Sequence, residues 1–193
     1  MGSFEYSFDE AILEPSAGEI VRVVFTTPLN EGHFQDYCKE HGIASYLPLR
    51  KTIKLKRVRR GERSYQYQSE VLKPMFPNYV FVKLNPEQRS EIFRSKVVLR
   101  ILGDTEDYSE RLLDEIRLVH QLEELGKTVE LEFNSGIKEG SKFLIENGPW
   151  QGVYGWLKKK RNRFLWTVEI ECVSSIVQAT IDPSKYKMTP VEN

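Results

Sequence analysis

Two prolines with two residues between them, followed at once by an alternating run, constrain this chain more than any other stretch: Lys73-Pro74-Met75-Phe76-Pro77-Asn78-Tyr79-Val80-Phe81-Val82-Lys83-Leu84. Proline has no N–H donor, so neither Pro74 nor Pro77 fits inside a hydrogen-bonded ladder; together they make a stiff entry into a strand. Side chains alternate across a strand, which places Tyr79, Phe81 and Lys83 on one face and Val80, Val82 and Leu84 on the other. The Val/Leu face reads as core. The aromatic face reads either as the second side of a buried strand or as a surface built to meet a partner.

Charge bears on that choice. The 28 basic and 28 acidic side chains cancel, but they are segregated. Arg50 to Arg63 holds eight cations and one acid, and Lys158 to Arg163 holds five cations and no acid. Local patches, not the total, decide whether a polyanion can bind. The bland reading of each run is a solvated loop or strand. The acids collect between Asp104 and Glu132 and in residues 1–18, an acidic N-terminal extension without the basic start of a signal peptide. No apolar run reaches the roughly eighteen residues of a membrane helix. Cys38 and Cys172 lie far apart and form neither a disulfide framework nor a metal spacing, so a reduced, cytoplasmic protein is expected.

Along the chain, Ile20-Val21-Arg22-Val23-Val24-Phe25-Thr26 reads as a central strand. Asn30 is placed to cap a helix whose inner stripe is Phe34, Tyr37, Cys38 and His41, with Gly42 to end it. A strand from about Ala44 to Val58 has one apolar face (Leu47, Leu49, Ile53, Leu55) expected to be buried and one that turns cationic. Arg59-Arg60-Gly61-Glu62-Arg63 is a hairpin tip, and Tyr65 to Leu72 returns as its partner. Guanidinium groups beside Tyr65 and Tyr67 suit phosphate contact and base stacking. Asn85-Pro86-Glu87-Gln88 starts a further helix. Val97 to Leu102 is a strand, and Leu112, Leu113, Ile116, Val119 and Leu122 form the stripe of a last helix. The order predicts an α+β domain over 19–123, an antiparallel sheet with helices mainly on one face. Residues 124–139 read as a linker. From Gly140 four short strands with turn signals predict a small SH3-like β-barrel over 140–187.

The recognisable catalytic patterns are missing from the sequence. There is no phosphate-binding GxxxxGK[ST] loop, no dinucleotide GxGxxG, no HExxH and no paired-cysteine zinc pattern. Three histidines and no nucleophile elbow are thin material for catalysis. A non-enzymatic binding protein, with no cofactor and no metal, is the expectation.

Pro74-Met75-Phe76-Pro77-Asn78-Tyr79-Val80-Phe81-Val82 resembles the proline–hydrophobic–Phe-Pro-Gly/Asn-Tyr signature of the NusG family of transcription elongation factors. Ile137-Lys138-Glu139-Gly140-Ser141, Gly148-Pro149-Trp150-Gln151-Gly152 and Gly155 resemble a KOW motif. The order of an α+β domain, a linker and a KOW barrel is also similar, over roughly Glu19 to Lys187. Asn78 and Arg60-Gly61-Glu62-Arg63 are closer to the specialised antiterminator branch, the RfaH-like proteins and the UpxY-like regulators of surface-polysaccharide operons. Two features depart from the pattern. Val21-Arg22 stands in place of the usual Trp-Tyr, and Ser90-Glu91-Ile92-Phe93 does not match the His/Thr polymerase-contacting motif.

The resemblance implies that Phe25, Phe76, Tyr79 and Phe81 dock on the clamp helices of RNA polymerase, each buried aromatic contributing ~1.5–3 kcal/mol by area. Arg57, Arg59, Arg60 and Arg63 would reach upstream or non-template DNA, where phosphate contacts fix position rather than sequence. Trp150, on its loop, would meet a ribosomal protein or a termination factor. The branch includes KOW domains that refold as helices over the polymerase face. The β-branched and aromatic Phe164-Leu165-Trp166-Thr167-Val168-Glu169-Ile170 predicts strands instead, with the sheet face free. A second reading is an RNA- or ribosome-binding module, which has no need of the Phe-Pro-Asn-Tyr strand. A third is an enzyme with its site between the domains.

Overall fold

Ile20–Thr26 (β1) has the β-branched content of a central strand, and it lies inside a four-stranded sheet. The computed structural model describes residues 4–5, 8–14, 16–60, 63–102, 106–128, 131–134 and 140–191. They fall into two compact units, Met1–Leu102 and Gly103–Asn193. After β1 the first unit contains α1 (Glu31–Glu40), β2 (Ser45–Tyr46), β3 (Leu49–Arg60), β4 (Arg63–Pro74), β5 (Tyr79–Leu84), α2 (Pro86–Glu91) and β6 (Val98–Leu102). The sheet runs β2-β5-β1-β6, and every neighbouring pair is antiparallel.

The face expected to be core is core. Val80, Val82 and Leu84 cluster with Val24 of β1, Phe34 and Cys38 of α1, and Ile92 just after α2. Asn85 caps α2 as expected: its Oδ1 accepts from Gln88 N–H at 2.8 Å and Gln88 Oε1 accepts from Asn85 N–H at 3.0 Å. Asn30 does not cap α1. Its amide donates instead to Thr27 Oγ1 (3.0 Å) and Pro28 O (3.2 Å), so the side-chain oxygen is not turned to the helix.

The strand expected from Ala44 to Val58 is two strands. Pro48 interrupts it: Ser45–Tyr46 joins the sheet, and Leu49–Arg60 leaves to pair only with β4. The apolar face expected to be buried on that strand is buried only in its first half. Leu47 and Leu49 are buried, but Ile53 and Leu55 are 65% and 64% exposed, because the hairpin forms its own two-stranded sheet.

The second unit holds α3 (Glu106–Leu125), β7 (Leu131–Asn134), β8 (Ser141–Ile145), β9 (Tyr154–Lys160), β10 (Arg163–Ile170), β11 (Ser175–Ile181) and β12 (Met188–Pro190). Its strands form one antiparallel sheet, β12-β8-β9-β10-β11-β7. The sheet is open at β12 and β7 rather than closed as a barrel, although its strand content is consistent with a KOW-like unit. The stretch that could have refolded as helix, Arg163–Ile170, is strand. Gly155 allows β9 to pass close over Trp166: a Cβ there would come within 2.7 Å of the indole and 2.6 Å of Thr167 O.

Helix α3 buries Leu112, Ile116, Val119 and Leu122. It is held in the second unit by polar contacts. The Glu115 carboxylate accepts from the N–H groups of Glu171 (3.0 Å) and Cys172 (2.9 Å), which begin a short 3-10 turn. Gln121 donates to Pro149 O and Gln151 O.

Candidate functional site

The bracketing prolines build a turn. Tyr79 N–H reaches Phe76 O at 3.3 Å, Pro77 takes the second position, and Asn78 takes the third with φ +72°. That is the arrangement of a type II turn, in which the third residue must be Gly or Asn-like. Asn78 is held on both sides. Its N–H donates to Glu31 Oε1 (2.7 Å) at the start of α1, and its carbonyl accepts from Thr26 N–H (2.8 Å) at the end of β1.

The turn delivers Tyr79 opposite Phe25 in the β1–β5 register. The two rings meet edge to face at 5.1 Å, and the Arg100 guanidinium of β6 lies 4.9 Å from the Phe25 ring centre. Phe25 and Tyr79 are half-buried, so this end of the sheet face meets solvent. The rest of the face does not. Phe76 is 2% exposed and Phe81 0%, together with Val23 and Tyr46. The four aromatics therefore do not make one open surface, and the expectation of a free sheet face is corrected.

The N-terminal segment covers part of this face. Phe8 meets the Tyr46 ring edge to face at 4.7 Å, and Tyr46 stacks on Phe81 at 6.0 Å. Asp9 caps the short 3-10 turn Glu10–Ile12, and Ile12 is fully buried. Lys83, on the Phe81 face of β5, donates to Ala11 O (3.0 Å), Ser16 Oγ (2.9 Å) and Glu14 O, with the Glu19 carboxylate at 3.6 Å.

The arm, β3 with β4, pairs residue for residue from Leu49↔Pro74 to Arg60↔Arg63. Directly opposite residues share a face, so the basic tip splits. Arg57 and Arg59 share one face with Ile53 and Leu55, opposite Gln66 and Ser64. Lys54 and Lys56 share the other with Tyr65 and Tyr67. Tyr65 and Tyr67 are 49% and 43% exposed. Gly61 and Glu62, and the side chains of Arg60 and Arg63, lie outside the described residues.

Trp150 was expected to project from its loop. It is 1% exposed, and the Gln121 amide bonds the carbonyls on either side of it. It is a core residue of the second unit. Tyr154 of that unit is 53% exposed, and Lys142 sits 5.5 Å from the ring centre of the half-buried Trp156. The basic run Lys158 to Arg163 forms the β9–β10 hairpin, with Lys160 opposite Arg163.

The other reactive side chains have structural settings. Cys38 is buried, which pushes its thiol up to about 12, while a hydrogen bond with Ser45 pulls the other way. His41 stacks on Tyr37 at 4.0 Å. On α3, His120, Glu123 and Glu124 bring ligand atoms within 4.8 Å of one another, and His120 Nδ1 lies 3.5 Å from Glu123 Oε2 one helical turn away.

A family model described as transcription termination factor nusG matches residues 22–117. The match supports NusG-family membership. The NusG match begins at the third residue of β1 and ends within α3. It takes in the proline-bracketed turn, the arm and the Phe25–Tyr79 pair. NusG-family proteins are transcription factors rather than enzymes, and they typically bind RNA polymerase. No curated protein matches the chain. Among the described residues no helix is long and apolar enough to cross a membrane.

The residues that sequence reading missed are Arg100, Tyr46, Lys83 and Ile12. Lys83 carried a signal: a lysine on the aromatic face of a strand needs acceptors, and the acidic residues before Ile20 could supply them. Arg100 carried none, since the ring it faces belongs to a strand far away in sequence.

Proposed function

We propose that this chain is a transcription elongation and antitermination regulator that binds RNA polymerase through the β1–β5 sheet face. The observation that carries the reading is the Phe25–Tyr79 pair. It is a partly exposed aromatic edge with Arg100 beside it, set by the family's signature turn. Phe76 and Phe81 extend that surface when it is uncovered. The clamp helices of polymerase are the proposed docking site, and the arm, with Arg57, Arg59, Arg60 and Arg63, reaches upstream or non-template DNA. Spanning the cleft in this way holds the clamp closed and suppresses pausing or termination. The Asn78 and Arg-Gly-Glu-Arg features favour the specialised branch and hence a dedicated target, a surface-polysaccharide operon. The second unit acts as a KOW-like module for a further partner, a ribosomal protein or termination factor, with Tyr154 and Trp156 in place of the buried Trp150 as the contact residues.

Co-purification with core RNA polymerase tests this, comparing the wild-type chain with Phe25→Ala and Tyr79→Ala. Loss of binding by folded variants supports the docking face. Wild-type binding by the double variant removes it.

A second reading, RNA or ribosome binding through the second unit, is favoured by one surface. Tyr154, Trp156, Lys158 and Lys160 alternate along one face of β9, with Lys142 against the Trp156 ring. Stacking aromatics beside cations suit single-stranded nucleic acid. Binding of RNA by a chain that ignores polymerase would favour it.

A further inference from the structure

Residues 8–14 and 16–19 cover part of the sheet face assigned above to polymerase, and they do so through specific contacts. Phe8 closes on Tyr46, which stacks on Phe81. Ile12 is 0% exposed. Lys83, itself 5% exposed, gathers Ala11 O, Glu14 O and Ser16 Oγ around one ammonium, with Glu19 beside it. A cation at the carbonyl end of a helical turn is favourably placed. Further toward the N-terminus, Phe4 packs against the core cluster on the helix side of the sheet. It rests on Gly32 of α1, where a Cβ would come within 2.9 Å of the ring.

The same segment is joined to the sheet weakly. Among the described residues it adds no strand to the sheet, and the backbone-to-backbone hydrogen bonds of residues 9–14 and 16–19 are internal: Ile12 to Asp9, Leu13 to Glu10, Glu19 to Ser16. Its connection to β1 passes through Gly18, in the left-handed region at φ +79° with open space around it. Few buried apolar contacts and no ladder place such a segment at the low-stability end of a fold.

We propose that residues 8–19 are an intramolecular competitor for the polymerase-docking face, which must leave Phe81, Tyr46 and Lys83 before polymerase can bind them. The proposal rests on the docking reading given above. It also defines what replaces the segment. The incoming surface has to offer apolar side chains to Tyr46 and Phe81, and a carboxylate or a helix carbonyl end to Lys83. Lys83 regains water when the segment lifts, whereas Phe81 and Tyr46 do not gain from it, so the open face is stable only against a partner. A closed population lowers apparent affinity by the competent fraction; a face open about a tenth of the time binds about tenfold more weakly than one held open.

The test uses the full chain carrying Ile12→Asp, and a second variant, Phe8→Ala, both altered in the segment and not in the sheet. Affinity for core RNA polymerase is measured together with hydrogen exchange at the Ile12 and Leu13 amides. The expected result is tighter binding by either variant, about tenfold for Ile12→Asp, and loss of Ile12 and Leu13 protection when the wild-type chain binds. Wild-type affinity in both variants, or protection that persists in the complex, overturns the competitor. Adding Tyr79→Ala to Ile12→Asp separates the two ideas. If that combination loses polymerase while Ile12→Asp alone binds like wild type, the docking face stands and the competitor falls. If no version binds polymerase although exchange shows the segment open, the docking reading falls and the competitor with it.

Discussion

Asn78 donates its backbone N–H to Glu31 Oε1 across 2.7 Å, tying the turn ahead of β5 to the first turn of α1. Glu31 is 2% exposed, so the bond is sheltered from water. Removing the acceptor in Glu31→Ala leaves the Asn78 N–H unsatisfied and costs about 1–3 kcal/mol. Asn78→Gly accepts the left-handed backbone and stays near wild type, whereas Asn78→Val is strained there by about 1–3 kcal/mol. Urea unfolding of the full chain, fitted for the midpoint at constant slope, measures all three.

Trp150 behaves as core and not as a contact residue. Trp150→Ala is expected to destabilise the second unit by about 3–5 kcal/mol, the range for deleting a large buried aromatic. Its thermal unfolding transition should fall well below that of Tyr154→Ala, which removes an exposed ring. Equal transitions for the two variants would contradict the burial of Trp150.

The α3 contact has its own readout. Glu115→Ala removes the acceptor shared by the Glu171 and Cys172 amides, and those two amides should exchange faster while the β10–β11 ladder stays protected. Hydrogen exchange resolved by residue decides it. Unchanged exchange at both amides would mean that the carboxylate is not their partner in solution.

Cys38 carries a pH signature. Burial raises its thiol from 9.0 to about 12, so the thiolate available at pH 8 is roughly a thousandfold scarcer than on an unfolded chain. A thiol reagent should leave Cys38 unmodified in the native protein and modify it once the chain is unfolded. The unfolded thiol ionises near 9 and the folded one near 12, so the stabilising term is complete below pH 9 and is lost as pH rises toward 12. The stability gap between wild type and Cys38→Ala should therefore narrow above pH 9. A gap that stays constant to pH 11 would show an unshifted thiol.

The arm separates by face. Replacing Arg57 and Arg59 with Glu should weaken DNA binding and flatten its salt dependence, by about 0.7 in slope for each single-strand phosphate that is no longer neutralised. Replacing Tyr65 and Tyr67 with Ala should weaken binding to single strands with little change in slope, since stacking releases no counterions. Salt titrations of both variants against one oligonucleotide distinguish the two contributions.

The parts of the fold written in local chemistry could be read directly. Val80, Val82 and Leu84 had to face the helices by period two, Gly42 had to take φ +65°, and Asn85 with Gln88 had to cap α2. The signature turn was legible in the same way, because Pro77 and Asn78 are the residues that a type II turn demands. What stayed hidden was burial by distant chain. A Tyr/Phe face looks the same whether a partner or the protein's own N-terminus covers it, and two apolar residues, Phe8 and Ile12, are too few to show a period. Ile53 and Leu55 misled for the opposite reason. Alternation reports a face, but only the third dimension says whether anything lies against it. Trp150 looked exposed because it stood in a glycine-rich turn, and the helix whose Gln121 ties that turn down lies far back in the sequence.

The unbroken pairing of β3 with β4 makes the length of the arm quantised. Removing two residues from each strand shortens it by about 7 Å and returns every side chain to its former side. Removing a single residue from each strand interchanges, for everything beyond that point, the side bearing Arg57 and Arg59 with the side bearing Tyr65 and Tyr67. Reach can therefore be adjusted only in even steps without exchanging the two sides of the arm.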